Sequence, residues 1–140
     1  MGAVVLDGLL AETRPTLDVP AGASTAEALV AHLQALMDLL SDERLGGLVS
    51  ELTARAQGDP AVAAAMRDQW FAQRRGAAAD LIHQGIRAGD LRPDLNVQLA
   101  LDQLFAPTYH RALYGYDPID ESTAVEQVGA FLRGAARRDR

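Results

Sequence analysis

The chain lacks cysteine and lysine altogether, and only 5% of its residues are aromatic. Without cysteine, thiolate catalysis, zinc–sulfur sites and disulfide bonds are excluded. Without lysine, a Schiff-base nucleophile and the lysine of a phosphate-binding P-loop are excluded as well. The 13 basic residues are therefore all arginine, and 19 acidic residues bring the formal net charge to −6. Because phosphate binding needs a basic patch, we expect this chain alone to bind no nucleic acid.

Long apolar runs are also missing. No stretch approaches the roughly 18 apolar residues that a membrane-spanning helix needs, and the N-terminus reaches Asp7 without the basic segment of a signal peptide. The 140 residues are nevertheless 49% hydrophobic and 23% charged, which suffices for one domain with a buried core. We expect a single cytoplasmic domain over residues 1–140, without contact to a membrane.

Apolar residues recur at helical spacing along the whole chain, and no segment alternates as a β-strand does. This pattern predicts an all-α bundle of six helices joined by short links. The first helix begins without a capping residue, as a helix cut in two would. The predicted helices run to about Glu12, then over Ser24–Ser41, Glu43–Gln57, Pro60–Ala88, Leu95–Tyr114 and Asp120–Ala136.

Capping residues support these boundaries. Ser24 followed three residues later by Glu27 forms a capping box. An aspartate before a proline, as in Asp59–Pro60, is typical of a helix start, and Gly89 is a typical helix end. Asp94 is the predicted cap of the fifth helix.

Groups that converge for catalysis are not apparent. His32, His83 and His110 lie on three different predicted helices, and none of the serines lies in a nucleophile elbow. Acidic pairs fall in turns and at helix starts, where they interact favourably with the helix dipole. We therefore predict that the protein is not an enzyme and has no cofactor and no metal site.

Aromatic residues cluster on the fourth and fifth helices. Trp70, Phe71, Phe105, Tyr109 and His110 either fill the core or line a cavity. The alanine-rich stretches of the fourth helix allow both readings, because small side chains permit close helix contact or leave room for a ligand.

Several short motifs in a fixed order resemble the C-terminal domain of TetR/AcrR-type transcriptional regulators. The resemblance covers nearly the whole chain and is densest from Asp59 to Gly134. The motifs are Asp59–Pro60, Arg74–Arg75, Gly89–Asp94, Ala100–Asp102, Pro107–Arg111, Asp117–Asp120 and Phe131–Gly134.

The resemblance implies a regulatory domain, most simply that of a repressor. In this family an N-terminal helix-turn-helix domain binds operator DNA, while the C-terminal helices bind a small effector and form a homodimer. The last two helices of each subunit usually build a four-helix bundle at the dimer interface, and the effector chamber lies among the earlier helices. The first helix would be the remainder of the helix that joins the two domains. No DNA-binding domain precedes Met1, so we expect no operator binding by this chain alone.

Two sets of residues are predicted to carry these roles. A mostly apolar effector is expected to contact Leu6, Leu10, His32, Met37, Met66, Trp70, Phe105 and Tyr109, with Tyr109 or His32 as a polar anchor. The dimer interface is expected to comprise Leu101, Leu104, Thr108, Val125, Val128, Gly129, Leu132 and Ala136. The alternative is a stand-alone helical module that binds a partner protein and no small molecule. A closed interior cavity would separate the two, because an interaction module has no need of one.

Overall fold

The computed structural model of the chain describes residues 2–115 and 120–138. Over these residues the fold is an all-α bundle of six helices, as predicted. The helices are α1 (Gly2–Thr13), α2 (Thr25–Ser41), α3 (Glu43–Ala56), α4 in three consecutive segments (Pro60–Ala65, Met66–Phe71 and Ala72–Ala88), α5 (Val97–Tyr114) and α6 (Glu121–Ala135). A 3₁₀ turn over Arg14–Leu17 follows α1. The resemblance motif at Asp117–Asp120 lies mostly outside the described residues.

The predicted caps are present at the starts of α2 and α4. The Ser24 hydroxyl oxygen accepts a hydrogen bond from the Glu27 N–H at 3.2 Å, and Asp59 caps α4 through its carboxylate. At α5 the prediction was wrong, because Asn96 rather than Asp94 is the cap and accepts from the Leu99 N–H at 3.1 Å. The residues just before Asn96 are held in a turn by a bond from the Leu95 N–H to the carbonyl of Arg92, so the helix begins two residues later.

The helix α4 is not uniform. Its middle segment, Met66–Phe71, is π-helical, and the N–H of Ala72 donates to the carbonyl of Arg67, five residues back. Such a turn accommodates one extra residue and changes the direction in which the following side chains point. The apolar spacing gave no sign of it.

Two clusters of buried apolar side chains make up the interior. The larger joins α2, the second half of α4, α5 and α6. The smaller joins α1, α3 and the first half of α4 around Trp70, which has no exposed surface. The helices α2 and α4 contribute residues to both clusters. The two clusters therefore meet at the space between α2 and α4.

The helix α6 presents two different faces. Its inner face consists of Ala124, Val128, Phe131 and Ala135, all buried against the larger cluster. Its outer face carries Val125, which is 54% exposed, and the partly buried Gly129 and Leu132, while Ala136 lies just beyond the end of the helix.

The residues predicted for a dimer interface are therefore divided. Leu101, Leu104, Thr108 and Val128 are each at most 1% exposed. They complete the core of a single chain and leave no surface for a partner. Of the other four residues, Val125 and Ala136 are exposed and Gly129 and Leu132 are partly buried, and a dimer interface at these four positions stays a prediction.

None of the helices in the described part of the chain combines the length and the hydropathy needed to cross a membrane.

Candidate functional site

A cavity of about 270 Å³ lies between α2, α4 and α5. It is situated where the two apolar clusters meet, since Phe71 and Tyr109 pack on the smaller cluster and Leu101 and Phe105 on the larger. The walls are formed by His32, Leu36, Phe71, Arg74, Arg75, Leu101, Asp102, Phe105, Ala106 and Tyr109. Apolar and aromatic side chains with a few polar groups among them are typical of a small-molecule site.

Arg74 is the most unusual residue of the wall. Arg74 comes shortly after the π-helical segment in the chain, and only 5% of the residue is exposed. The Nη1 atom donates to the Thr16 hydroxyl at 2.9 Å, and the guanidinium carbon lies 5.2 Å from the centre of the Trp70 ring. The Nη2 atom is buried and has no hydrogen-bond partner among residues 2–115 and 120–138. Burial lowers the pKa of Arg74 because it penalises the charged form, yet a guanidinium remains charged in proteins.

The second arginine of the wall is paired. The Nη1 atom of Arg75 donates to the Asp102 carboxylate at 2.8 Å, and its Nη2 atom donates to the side-chain oxygen of Gln98 at 2.9 Å. These bonds join α4 to α5 at the edge of the cavity. Because the Asp102 carboxylate is bonded to Arg75, it is not the counter-ion of Arg74.

His32 faces Arg74 from α2. It is 1% exposed, and its ring meets the edge of Phe105 with 5.5 Å between the ring centres. Burial lowers the pKa of His32 to about 4, and the positive charge of Arg74 acts in the same direction. The imidazole is therefore neutral at pH 7, and within the part of the chain that the structure describes its buried Nδ1 atom has no hydrogen-bond partner.

Tyr109 closes the wall on the side of α5. Its ring lies 5.5 Å from that of Phe71, at an interplanar angle of 59°. Burial raises the pKa of the Tyr109 hydroxyl, which is therefore protonated at neutral pH and able to donate a hydrogen bond to a ligand.

The structure brings together three of the eight residues predicted to bind an effector, namely His32, Phe105 and Tyr109. Trp70 lies beneath Arg74 and forms no part of the wall. The remaining four lie elsewhere: Met37 in the larger cluster, Leu10 against the smaller one, and Leu6 and Met66 on a separate apolar cavity of about 250 Å³ between α1, α3 and α4.

The charged residues of the wall, Arg74, Arg75 and Asp102, were not among the predicted contacts, although the sequence contained one signal for Arg74. Arg74 lies four residues after Trp70 and four before Ala78, and both of these are fully buried. A charged residue within an apolar helical stripe indicates a buried charge, and buried charges require a partner or a function.

The site contains nothing that resembles a metal centre. Among the residues that the structure describes, no group of three or more histidine or carboxylate side chains could hold a metal ion. The geometry is instead that of a binding cavity, with an apolar body and a charged group at one end.

Known proteins with the same sequence pattern and fold are transcription regulators. Residues 19–131 match the family model described as tetracyclin repressor-like, C-terminal domain. The chain is 31% identical over 132 residues to the "Uncharacterized HTH-type transcriptional regulator YdeS" of Bacillus subtilis (strain 168), a match that covers 94% of this chain. The chain spans 66% of the length of that relative.

Two solved structures of transcription regulators share the fold of this chain. The TetR family transcription regulator SCO0332 superposes with a TM-score of 0.88 at 34% identity, over 95% of this chain and 73% of that one. The ketosteroid transcriptional regulator KstR2 of Mycobacterium tuberculosis has a TM-score of 0.67 at 22% identity, over 96% and 68% of the two chains, which shows a shared fold.

Fold and relatives together define a domain of a TetR-type transcription regulator. The chain belongs to the tetracyclin repressor-like C-terminal domain family.

Proposed function

We propose that this domain binds a small effector in the cavity between α2, α4 and α5 and thereby controls a helix-turn-helix domain of a transcriptional repressor. The observation that carries the proposal is the cavity itself, with mostly apolar walls and, in the residues that line it, buried polar atoms that have no hydrogen-bond partner among the described residues. A pure interaction module has no need to keep such a space, since filling it would stabilise the fold.

The same site has a direct connection to α1. Arg74 donates to the Thr16 hydroxyl, which donates to the carbonyl of Thr13 at 2.5 Å, at the C-terminal end of α1. A ligand that touches Arg74 therefore acts on the group that holds this end of α1. If α1 leads towards the DNA-binding domain, an effector can favour one position of α1 over another, by no more than its difference in affinity for the two.

Dimerisation belongs to the same proposal. Two exposed apolar side chains, Leu99 on α5 and Val125 on α6, are 57% and 54% exposed. Such side chains on neighbouring helices support an interface with a second copy of the chain.

A thermal-shift screen against apolar and amphipathic small molecules tests effector binding. A ligand at a hundred times its dissociation constant adds roughly 2.7 kcal/mol to the free energy of unfolding. Trp70 is the only tryptophan of the chain and lies directly beneath Arg74, so its fluorescence reports on the site.

Two variants locate any ligand found. Ala106→Trp places a large ring at the exposed edge of the cavity, and we expect it to abolish binding. Ala54→Trp, an exposed position on α3, is the matched control and should bind as the unaltered chain does. A ligand that binds both variants equally would contradict the assignment of this cavity, and a well-folded domain without any ligand would favour the interaction module.

A further inference from the structure

The charges of the cavity wall do not balance. Arg74 and Arg75 contribute two positive charges and Asp102 one negative charge, and His32 is neutral at pH 7. The wall therefore carries a net charge of +1, within a chain whose formal net charge is −6. Since Asp102 is hydrogen-bonded to Arg75, the charge without a counter-ion is that of Arg74.

Burying such a charge is costly. Removing an ion from water costs several kcal/mol unless an opposite charge or hydrogen bonds replace the lost hydration. For Arg74 the only hydrogen-bond partner in the described part of the chain is the neutral hydroxyl of Thr16, and Nη2 is left without any. An uncharged ligand can accept a hydrogen bond from the guanidinium but leaves its charge without a counter-ion, whereas an anionic ligand supplies both.

We propose that the effector is a small organic acid whose carboxylate binds the guanidinium of Arg74 and whose apolar body lies between Leu36, Phe71 and Phe105. This inference rests on the proposed function and specifies the chemical class of its ligand. A carboxylate matches the fork of a guanidinium, and such charge-assisted bonds are about twice as strong as neutral ones. His32 and Tyr109 line the same wall, and the Tyr109 hydroxyl can donate a hydrogen bond to its second oxygen.

The size and the charge of the cavity define the ligand further. A volume of about 270 Å³ lies near the lower end of the range of small-molecule sites, roughly 300–1,000 Å³, which suits a single ring or a short chain. One unbalanced positive charge is neutralised by a monoanion. A phosphate dianion would leave one negative charge unpaired among apolar side chains, which is unfavourable.

Acids and their amides, which have the same shape but no charge, test the proposal. The probes are 4-phenylbutanoate and octanoate, each with its primary amide, titrated into the chain near neutral pH by calorimetry and by Trp70 fluorescence. We expect an acid to bind at least about tenfold more tightly than its amide, a ratio equivalent to about 1.4 kcal/mol.

Arginine variants identify the group responsible. Arg74→Met should bring the ratio of acid to amide affinity close to one, while Arg74→Lys should keep part of it because the charge remains. Arg67→Met, which removes an exposed charge from the same helix, should keep the full ratio. The Lys variant preserves a readout if the Met variant does not fold.

Three outcomes would overturn the inference. If amide and acid bind equally and Ala106→Trp abolishes both, the cavity binds an effector but does not select an anion. If the acid preference persists in Arg74→Met, another group recognises the carboxylate. If neither acid binds, the anion proposal is wrong, while effector binding as such is decided separately by the screen of uncharged compounds.

Discussion

At the scale of single residues, Arg74 makes the site more than a gap in the packing. An arginine that served only to hold the fold together would be expected to have its donors satisfied, because unsatisfied buried groups are costly. Instead one end of the guanidinium is bound to Thr16, and the Nη2 atom at the other end is buried without a hydrogen-bond partner in the described part of the chain. This arrangement is typical of a binding residue, whose cost to stability is offset when the ligand is present.

The first prediction concerns that cost. Arg74→Met removes a buried, uncompensated charge, so we expect the free energy of unfolding of the ligand-free domain to rise by about 1 kcal/mol. Urea denaturation followed by circular dichroism measures it, with Arg67→Met expected within about 0.5 kcal/mol of the unaltered chain. A loss of more than about 1 kcal/mol in Arg74→Met would show that the residue is mainly structural.

The second prediction concerns His32. Because its pKa is about 4 in the folded chain against an ordinary value of 6.5, the unfolded chain binds a proton that the folded chain does not. Above about pH 6.5, His32 therefore does not reduce the free energy of unfolding. As the pH falls towards 4, preferential protonation of the unfolded chain lowers the free energy of unfolding by an amount on the order of 3 kcal/mol.

Denaturation between pH 7 and pH 4 measures this effect. His32→Leu should lose much less stability over this range than the unaltered chain. His83→Leu, which changes an exposed histidine, is the control and should retain the original pH dependence. Equal slopes for all three proteins would contradict the burial of a neutral imidazole.

At the scale of elements, the corner between α2 and α3 depends on a close approach. A Cβ atom added to Gly46 would collide with the backbone carbonyl oxygen of Leu40, near the end of α2. The neighbouring Gly47 has no atom within 4 Å of the position of its missing Cβ. Two adjacent glycines in one helix thus differ in role, and only the first is needed for packing.

The third prediction follows from this pair. Gly46→Ala must displace backbone, so it should lower the free energy of unfolding by about 1–3 kcal/mol. Gly47→Ala should raise it by about 0.5–1 kcal/mol, because alanine is the better helix former. Thermal unfolding of both variants checks this, and opposite signs are required. Two stabilising substitutions would mean that the corner is more open than the structure indicates.

At the scale of the whole molecule, the two faces of α6 are expected to affect folding and the proposed self-association separately. The inner face is part of the core, whereas Val125 on the outer face is exposed. Substituting Val125 and Val128 by the same charged residue therefore tests two different properties.

The fourth prediction uses these valines. Val125→Glu should leave the fold and its stability nearly unchanged and weaken self-association. Val128→Glu should unfold the domain or destabilise it by several kcal/mol, because it buries an unpaired carboxylate. Sedimentation equilibrium and circular dichroism distinguish the two results. If Val125→Glu associates exactly as strongly as the unaltered chain, the outer face of α6 is not the interface.

The sequence alone was enough to predict the helices and to identify the family, and the reason is physical. Helix formation depends on local signals, and the apolar spacing and the caps at Ser24, Asp59 and Gly89 are read within a few residues of the boundary that they set. The order of the motifs identifies the family, and residues 19–131 match the model of that family. Among the site residues, His32, Phe105 and Tyr109 could be named because polar and aromatic groups stand out on apolar helices.

Only the tertiary structure decided which face of each helix points inward and where the chain leaves space. On α6 the inner and outer stripes are offset by one residue, about 100° around the axis, and both are mostly apolar, so periodicity could not separate Val128 from Val125. The cavity is a property of three helices that meet, and Arg74 reaches it after a π-helical segment that no local pattern announced. Side-chain direction, packing and empty space depend on contacts between distant parts of the chain, which the sequence does not display locally.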